Sequence, residues 1–277
     1  MVVLLALVSA LVAGCSDYLG GRAAVRNSSL VVTFWGQVVN VGLLPLWVLL
    51  VGWKQLHPGD ITIGLIGGIA AGTAFIAFFH GLANGRMSVI APLTALTTAL
   101  VPVVIDVVGG TSLSPGRWIG VGLALVAIPL LAYHADPSPH SLSLAAEVTI
   151  AFGSGLGFAV FFVGMGHTSR DSGQWPVVFA AIGQVLIVGT ICLVRRVPFE
   201  RPPKLAVASG LCSVVGALTI ITALQIGPIA IATVLGSMYP LSTTVLANRV
   251  DHEPVGRLNV TGIALAIASA ACAAVYR

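Results

Sequence analysis

Asp17, His80, Asp106 and His167 are ionisable side chains that fall in or at the edges of long apolar runs of this sequence. An ionisable group is costly in hydrocarbon, so one that is kept there is a functional candidate by default. Asp17 is the best placed to carry a proton, because taking a carboxylate out of water disfavours its charge and lets a proton be loaded and released. It lies about one turn from the end of its run and close to Arg22, which leaves a second reading open, an ion pair at the membrane surface. Three amides, Gln37, Asn40 and Gln184, sit near the middle of apolar runs. Amides there either bridge helices by hydrogen bonds or hold a polar solute, and the sequence allows both. The rings of Phe75, Phe78, Phe79, Phe158, Phe161 and Phe162 can line an amphipathic site or form ordinary core.

Catalytic chemistry finds no support. The chain has no HExxH, no GxSxG and no paired-carboxylate motif such as DDxxD, so it is read as a non-enzyme. Its four cysteines, Cys15, Cys192, Cys212 and Cys272, fall in four different apolar runs without CxxC spacing. Neither a zinc site nor a disulfide framework is readable from them, and they suit small core thiols. No metal and no cofactor are expected.

These side chains must be positioned by membrane helices. The 277 residues are 57% hydrophobic and 8% charged, against about a quarter charged in soluble domains. A span needs about 20 apolar residues, because the hydrocarbon core is about 30 Å thick and a helix rises about 1.5 Å per residue. Ten runs qualify, at 2–21, 30–52, 61–82, 87–108, 117–134, 145–166, 174–194, 205–225, 228–247 and 258–276. Only short connectors remain, so there is no room for a soluble catalytic or nucleic-acid-binding domain. The net charge of +4 is read as membrane orientation. The expected partners are the lipid bilayer and a small-molecule substrate; a homo-oligomer is allowed but not required.

The segment LVAGCSD, residues 11–17, has the residue order of a lipoprotein cleavage site. The global organisation argues for a retained helix instead. GQVVNVG at 36–42 and GQVLIVG at 183–189 agree at five of seven positions. At a constant offset of 142, Gly68 falls on Gly210, Gly85 on Gly227 and Gly120 on Gly262. Five helices are an odd number, so two consecutive units enter the membrane from opposite faces, the inverted-repeat layout of secondary transporters. Losing the first run would leave one unit incomplete, and the segment lacks the basic n-region of a signal peptide. The predicted fold is an all-α membrane protein of ten transmembrane helices in two inverted five-helix repeats, 1–135 and 142–277.

FFHGLANGRMSVIAPLTAL (78–96) and ALQIGPIAIATVLGSMYPLSTTVLANRVDHEPVGRLNVTGIALAIAS (223–269) resemble the ten-helix, EamA-type branch of the drug/metabolite transporter superfamily. The likeness covers both halves, with Tyr239-Pro240 inside the ninth run and Glu253 nine residues before Gly262. The halves differ where the first has Thr111 against Glu253, and Thr98 against Pro240. The resemblance implies a transport role for small metabolites without naming one.

Membrane helices pack where small residues let backbones approach. Gly64, Gly68 and Gly72 recur every four residues and make one smooth face, and Gly153 and Gly157 repeat the device in the sixth run. Such faces pack helices and let one bundle slide on another. Prolines at 45, 92, 102, 129 and 240 lie inside runs. Each frees a carbonyl, which is tolerated only beside protein or water. Pro92 and Pro240 therefore direct the fourth and ninth runs toward an interior cavity. Thr94, Thr97 and Thr98 on one and Ser237, Tyr239, Ser242 and Thr243 on the other supply hydroxyls. Those hydroxyls either line the cavity or satisfy carbonyls of their own helix.

Loops after odd-numbered runs carry nine basic residues, among them Arg22, Arg26, Arg86 and Arg257; the other face carries four, Lys54, Arg117, Arg170 and Arg277. Positive-inside bias places the nine in the cytoplasm and both termini outside. Trp53, Trp118, Trp175 and Tyr276 fall at run ends on the opposite face, as an aromatic belt would. Ten-helix relatives implied by the resemblance have both termini inside, so the orientation stays open. The expected function is a secondary transporter, read as an exporter of small polar or amphipathic metabolites by alternating access at a midplane site, in the plasma (bacterial inner) membrane. A non-transporting scaffold or sensor is the alternative.

Overall fold

The computed structural model describes residues 1–51, 55–85, 87–110, 114–131, 141–198, 201–250 and 256–275. Trp53, Lys54, Arg86, Thr111, Glu253, Tyr276 and Arg277 lie outside the described residues, as do the side chains of Pro92, Asp106 and Arg117. The helices are α1 (Val2–Arg26), α2 (Ser29–Val51), α3 (Pro58–Asn84), α4 (Met87–Val108), α5 (Pro115–Leu131), α6 (Leu144–Gly166), α7 (Trp175–Val194), α8 (Lys204–Ile226), α9 (Ile229–Gly236), α10 (Pro240–Val250) and α11 (Arg257–Val275). A bilayer offers the backbone no water, so each span must satisfy its own amides, and helices do so. Six of them, α1, α2, α3, α6, α7 and α8, are long and apolar enough to cross by themselves. Four shorter apolar stretches, Val89–Ile105, Trp118–Leu130, Ile229–Thr243 and Arg257–Ser269, bring the number to ten. The chain is an all-α membrane protein.

The two halves pack by one rule. Exchanging α1 with α6, α2 with α7, α3 with α8, α4 with α9–α10 and α5 with α11 turns the α1·α8 seam into α6·α3. The same exchange turns α3·α7 into α8·α2, and α4·α6 into the packing of α9 and α10 on α1. All these pairs are in contact, and α2·α7, α4·α9 and α5·α11 exchange with themselves. Five crossings leave the chain on the far face, so the second repeat runs inverted relative to the first.

Glycines carry this rule down to residues. A Cβ on Gly68 would run into the Ala180 carbonyl of α7; on Gly210 it would stand 2.7 Å from the Gly36 carbonyl of α2. The glycines matched at an offset of 142 thus seat the two exchanged seams, α3·α7 and α8·α2. Gly64 and Gly72 extend the first seam toward Pro176 and Gln184. In α6 the device differs from the sequence expectation. Gly157 meets the Ala70 carbonyl of α3 and Gly155 meets Thr97 of α4, whereas nothing stands within 4 Å of a Cβ on Gly153. The helix is thus clamped on two sides by glycines two residues apart.

Two elements depart from their sequence boundaries. The first helix continues past residue 21 to Arg26, because Ala23 and Ala24 are buried against α2, α3 and α8. It ends at Asn27, whose backbone N–H and side-chain Nδ2 both donate to the Ala23 carbonyl, at 3.0 and 2.8 Å. The ninth span is two helices, broken at Ser237-Met238-Tyr239 ahead of Pro240. Proline removes the amide that would continue the ladder. Its counterpart at the 142 offset, Thr98, sits inside the unbroken α4.

Candidate functional site

A cavity of about 120 Å³ lies between the repeats. Its walls come from α1, α2 and α3 of the first repeat and α6, α7 and α8 of the second, three helices that exchange with three. The cavity therefore sits on the pseudo-twofold axis. That volume holds several waters, and it is small beside the roughly 300–1,000 Å³ of a drug-sized site.

One wall is polar. Asp17 and Ser16 of α1, Asn40 of α2, Gln184 of α7 and Ser213 of α8 line it. Asn40 Nδ2 donates to Gln37 Oε1 at 2.8 Å and to Ser213 Oγ at 3.3 Å. Those bonds orient the amide and leave Asn40 Oδ1 as its open end. Asn40 Oδ1 and Gln184 Oε1 are buried with no hydrogen-bond partner among the described residues. A buried acceptor without a donor costs about 1–3 kcal/mol. Two of them beside a carboxylate give this wall a cluster of open acceptors.

The other wall is aromatic. Phe75 of α3 meets Phe158 of α6 edge to face, 4.7 Å between centroids, and Phe161 meets Phe162 at 5.4 Å. All four rings line the cavity. Rings present a negative face that attracts cations as well as apolar surface.

Asp17 lies nine residues before the end of α1, roughly 14 Å along the axis. The longer helix thus places it well inside the span. No ion pair joins it to Arg22 among the described residues: Arg22 Nη1 donates to the Tyr18 hydroxyl at 2.9 Å, and the two charges face different cavities. Tyr239, at the break between α9 and α10, stands within electrostatic reach of Asp17, and its hydroxyl is buried with no hydrogen-bond partner among the described residues. Ser237 Oγ, two residues earlier, is in the same condition.

The structure thus brings Asp17, Asn40, Phe75, Phe158, Phe161 and Gln184 to one cavity, with Gln37 directly behind Asn40. It places other candidates elsewhere. Thr94 Oγ1 donates to the Ala151 carbonyl and Thr97 Oγ1 to the Leu93 carbonyl, which buries both in the α4·α6 seam. Phe79 covers Gly20 of α1 outside the cavity. Ser9, Ser16 and Ser213 were not legible as lining residues, since serines occur throughout the spans and only packing selects these three. Glu147, fully buried in the first turn of α6 beside Gly85, is a further carboxylate that the sequence reading passed over. A signal existed, because it is a lone acid inside an apolar run.

The pattern of the EamA-like transporter family matches residues 1–133 and again residues 145–275. Among curated proteins none matches significantly. One crystal structure, titled only as that of a protein, is similar with a TM-score of 0.73 over 97% of this chain and 99% of that chain. At 16% identity that likeness speaks to the fold alone.

Proposed function

The chain belongs to the EamA-like transporter family, matched once in each half, and from that premise we propose that it moves a small amphipathic solute with a cationic or N–H-donating head by alternating access at the axial cavity. The family and the multi-pass helical fold make it an integral membrane transporter. The observation that carries the finer reading is the acceptor cluster of Asp17, Asn40 Oδ1 and Gln184 Oε1 facing four phenylalanines. A donor head fills the acceptors and its charge meets Asp17 and the ring faces, while the apolar remainder replaces water against the rings. Carboxylates and other anions without a donor leave those acceptors unfilled and place a like charge beside Asp17.

In this reading residues 1–135 rock against residues 142–277, and the α1·α8 and α3·α6 seams, exchanged by the pseudo-twofold, open in turn. Asp17 couples the cycle by exchanging a proton for the cationic head, so the net movement is export across the plasma membrane against proton entry. The test is flux in proteoliposomes over a panel of small amines, neutral amino acids and carboxylates. Saturable transport confined to the amine-bearing members supports the proposal; transport confined to anions, or no flux of any solute, overturns it.

A further inference from the structure

The segment 169–174, between α6 and the first turn of α7, crosses one mouth of the axial cavity. Val177 lines that cavity and follows Gln174 by three residues, so less than one turn of α7 separates the cavity from this segment. Two side chains of the first repeat hold it. Asp60, buried in the first turn of α3, accepts through Oδ2 from the Ser172 hydroxyl and, at 3.1 Å, from the Ser169 backbone N–H. The His57 N–H donates to Ser172 Oγ at 3.2 Å, which leaves the serine proton to the carboxylate, the nearer of its two acceptors. Trp47 of α2 donates through Nε1 to Gln174 Oε1 at 3.0 Å. Within the second repeat, Gln174 Nε2 donates to Thr222 Oγ1 at 2.8 Å and Gln225 Nε2 to the Gly173 carbonyl at 2.6 Å. Residues 169–174 are thus a strap of the second repeat, anchored on α8 and fastened to α2 and α3 of the first.

Asp60 is the strongest point of that fastening. Among the described residues its carboxylate has these donors and no cationic partner. Hydrogen bonds to an ionised group are about twice as strong as neutral ones. The strap lies past the end of α6, beyond the α3·α6 seam itself. Exchange of the repeats does not reproduce it. At the offset of 142, Pro202 stands where Asp60 does, and a proline side chain accepts nothing. The mouth at the other face is fastened differently, by Ser16 of α1 and Ser209 of α8.

We propose that Asp60 is a latch: the carrier opens toward the face on which α3 and α7 start only when this carboxylate releases the strap. The latch rests on the alternating access proposed above and identifies the contact that closes one of its two mouths, whatever the cargo.

Side-resolved labelling of the full chain tests it, with the native cysteines replaced by serine and a reporter, Ala181→Cys, in the cavity wall. The probe is methanethiosulfonate ethyltrimethylammonium, which does not cross bilayers, applied to right-side-out and to inside-out membrane vesicles. Gly59→Cys, at an exposed position beside Asp60, marks the preparation that presents the strap. Asp60→Ala is expected to speed reporter labelling about tenfold from the strap side and to leave it no faster from the other. Asp60→Asn, which keeps an acceptor and loses the charge, is expected to fall between Asp60→Ala and wild type. Unchanged labelling overturns the proposal, as does an equal rise from both sides, the mark of general loosening. Should Asp60→Ala fail to fold, Asp60→Asn and Ser172→Ala decide: wild-type rates in both overturn it. Amine flux by the unaltered chain is read separately. One-sided labelling in a chain that carries no amine upholds the latch and sinks the cargo reading, and amine flux with unchanged labelling does the reverse.

Discussion

Ser16 of α1 and Ser209 of α8 bond to each other in both directions: Ser16 Oγ donates to the Ser209 carbonyl at 2.9 Å and Ser209 Oγ to the Ser16 carbonyl at 2.8 Å. This clasp joins the first repeat to the second, and Ser16 also lines the axial cavity. If the α1·α8 seam must part during transport, a covalent bond at the clasp stops the cycle. The double variant S16C/S209C is expected to transport when reduced, to lose flux on oxidation and to regain it with reductant. Full flux in the cross-linked protein would show that this seam stays closed.

Asn40→Ala and Gln184→Ala each remove one unfilled acceptor from the cavity. Losing a hydrogen bond to a charged head costs about 1.5–3 kcal/mol, so the apparent KM for a transported amine is expected to rise at least about tenfold. Thr94→Ala serves as the comparison, because its hydroxyl is occupied by the Ala151 carbonyl in another seam. It is expected to alter thermal stability more than KM.

Asp17→Asn keeps the size of the side chain and removes its exchangeable proton. With a pH-sensitive dye inside proteoliposomes, wild type is expected to move protons with substrate and the variant to move substrate without them. Unchanged proton movement in the variant rules out Asp17 as the coupling group.

Gly68→Val and Gly210→Val place a branched side chain against the carbonyls of Ala180 and Gly36, neither of which can swing aside. Overpacking of this kind costs about 1–3 kcal/mol, and the two variants are expected to lower the unfolding midpoint similarly. Gly153→Val, whose Cβ meets nothing within 4 Å, is the control.

Pro240→Ala restores the amide missing at the start of α10. The variant is expected to unfold at a higher temperature and to transport more slowly, since the turn at Ser237-Met238-Tyr239 holds Tyr239 near Asp17. Stability and flux measured on the same preparation separate the two effects.

The repeat was legible because Gly68 and Gly210 are read by the same physics in sequence and in space: a position with no Cβ marks a backbone contact. Gln37 and Gln184 were legible for a similar reason, as amides are rare at mid-span. The break before Pro240 was only half legible. A proline marks a missing donor, yet it does not say whether the helix kinks or parts, and packing around Ser237 decides that. Thr94 and Thr97 could not be sorted from cavity residues, because a hydroxyl facing a neighbouring carbonyl and one facing water have the same sequence. Asp17 looked terminal because Arg22 ended the apolar run, whereas the buried Ala23 and Ala24 carry the helix a turn further.

A dimer of identical halves would have no preference for facing one compartment over the other. Here the exchanged seams are fastened unequally: Ser9, Ser16 and Ser209 tie α1 to α8, and no side-chain hydrogen bond joins α3 to α6 among the described residues. Under the alternating access proposed above, this inequality gives the unloaded carrier a built-in resting side, and its occupancy of the other is then set by how much free energy cargo or proton supplies to unfasten those serines.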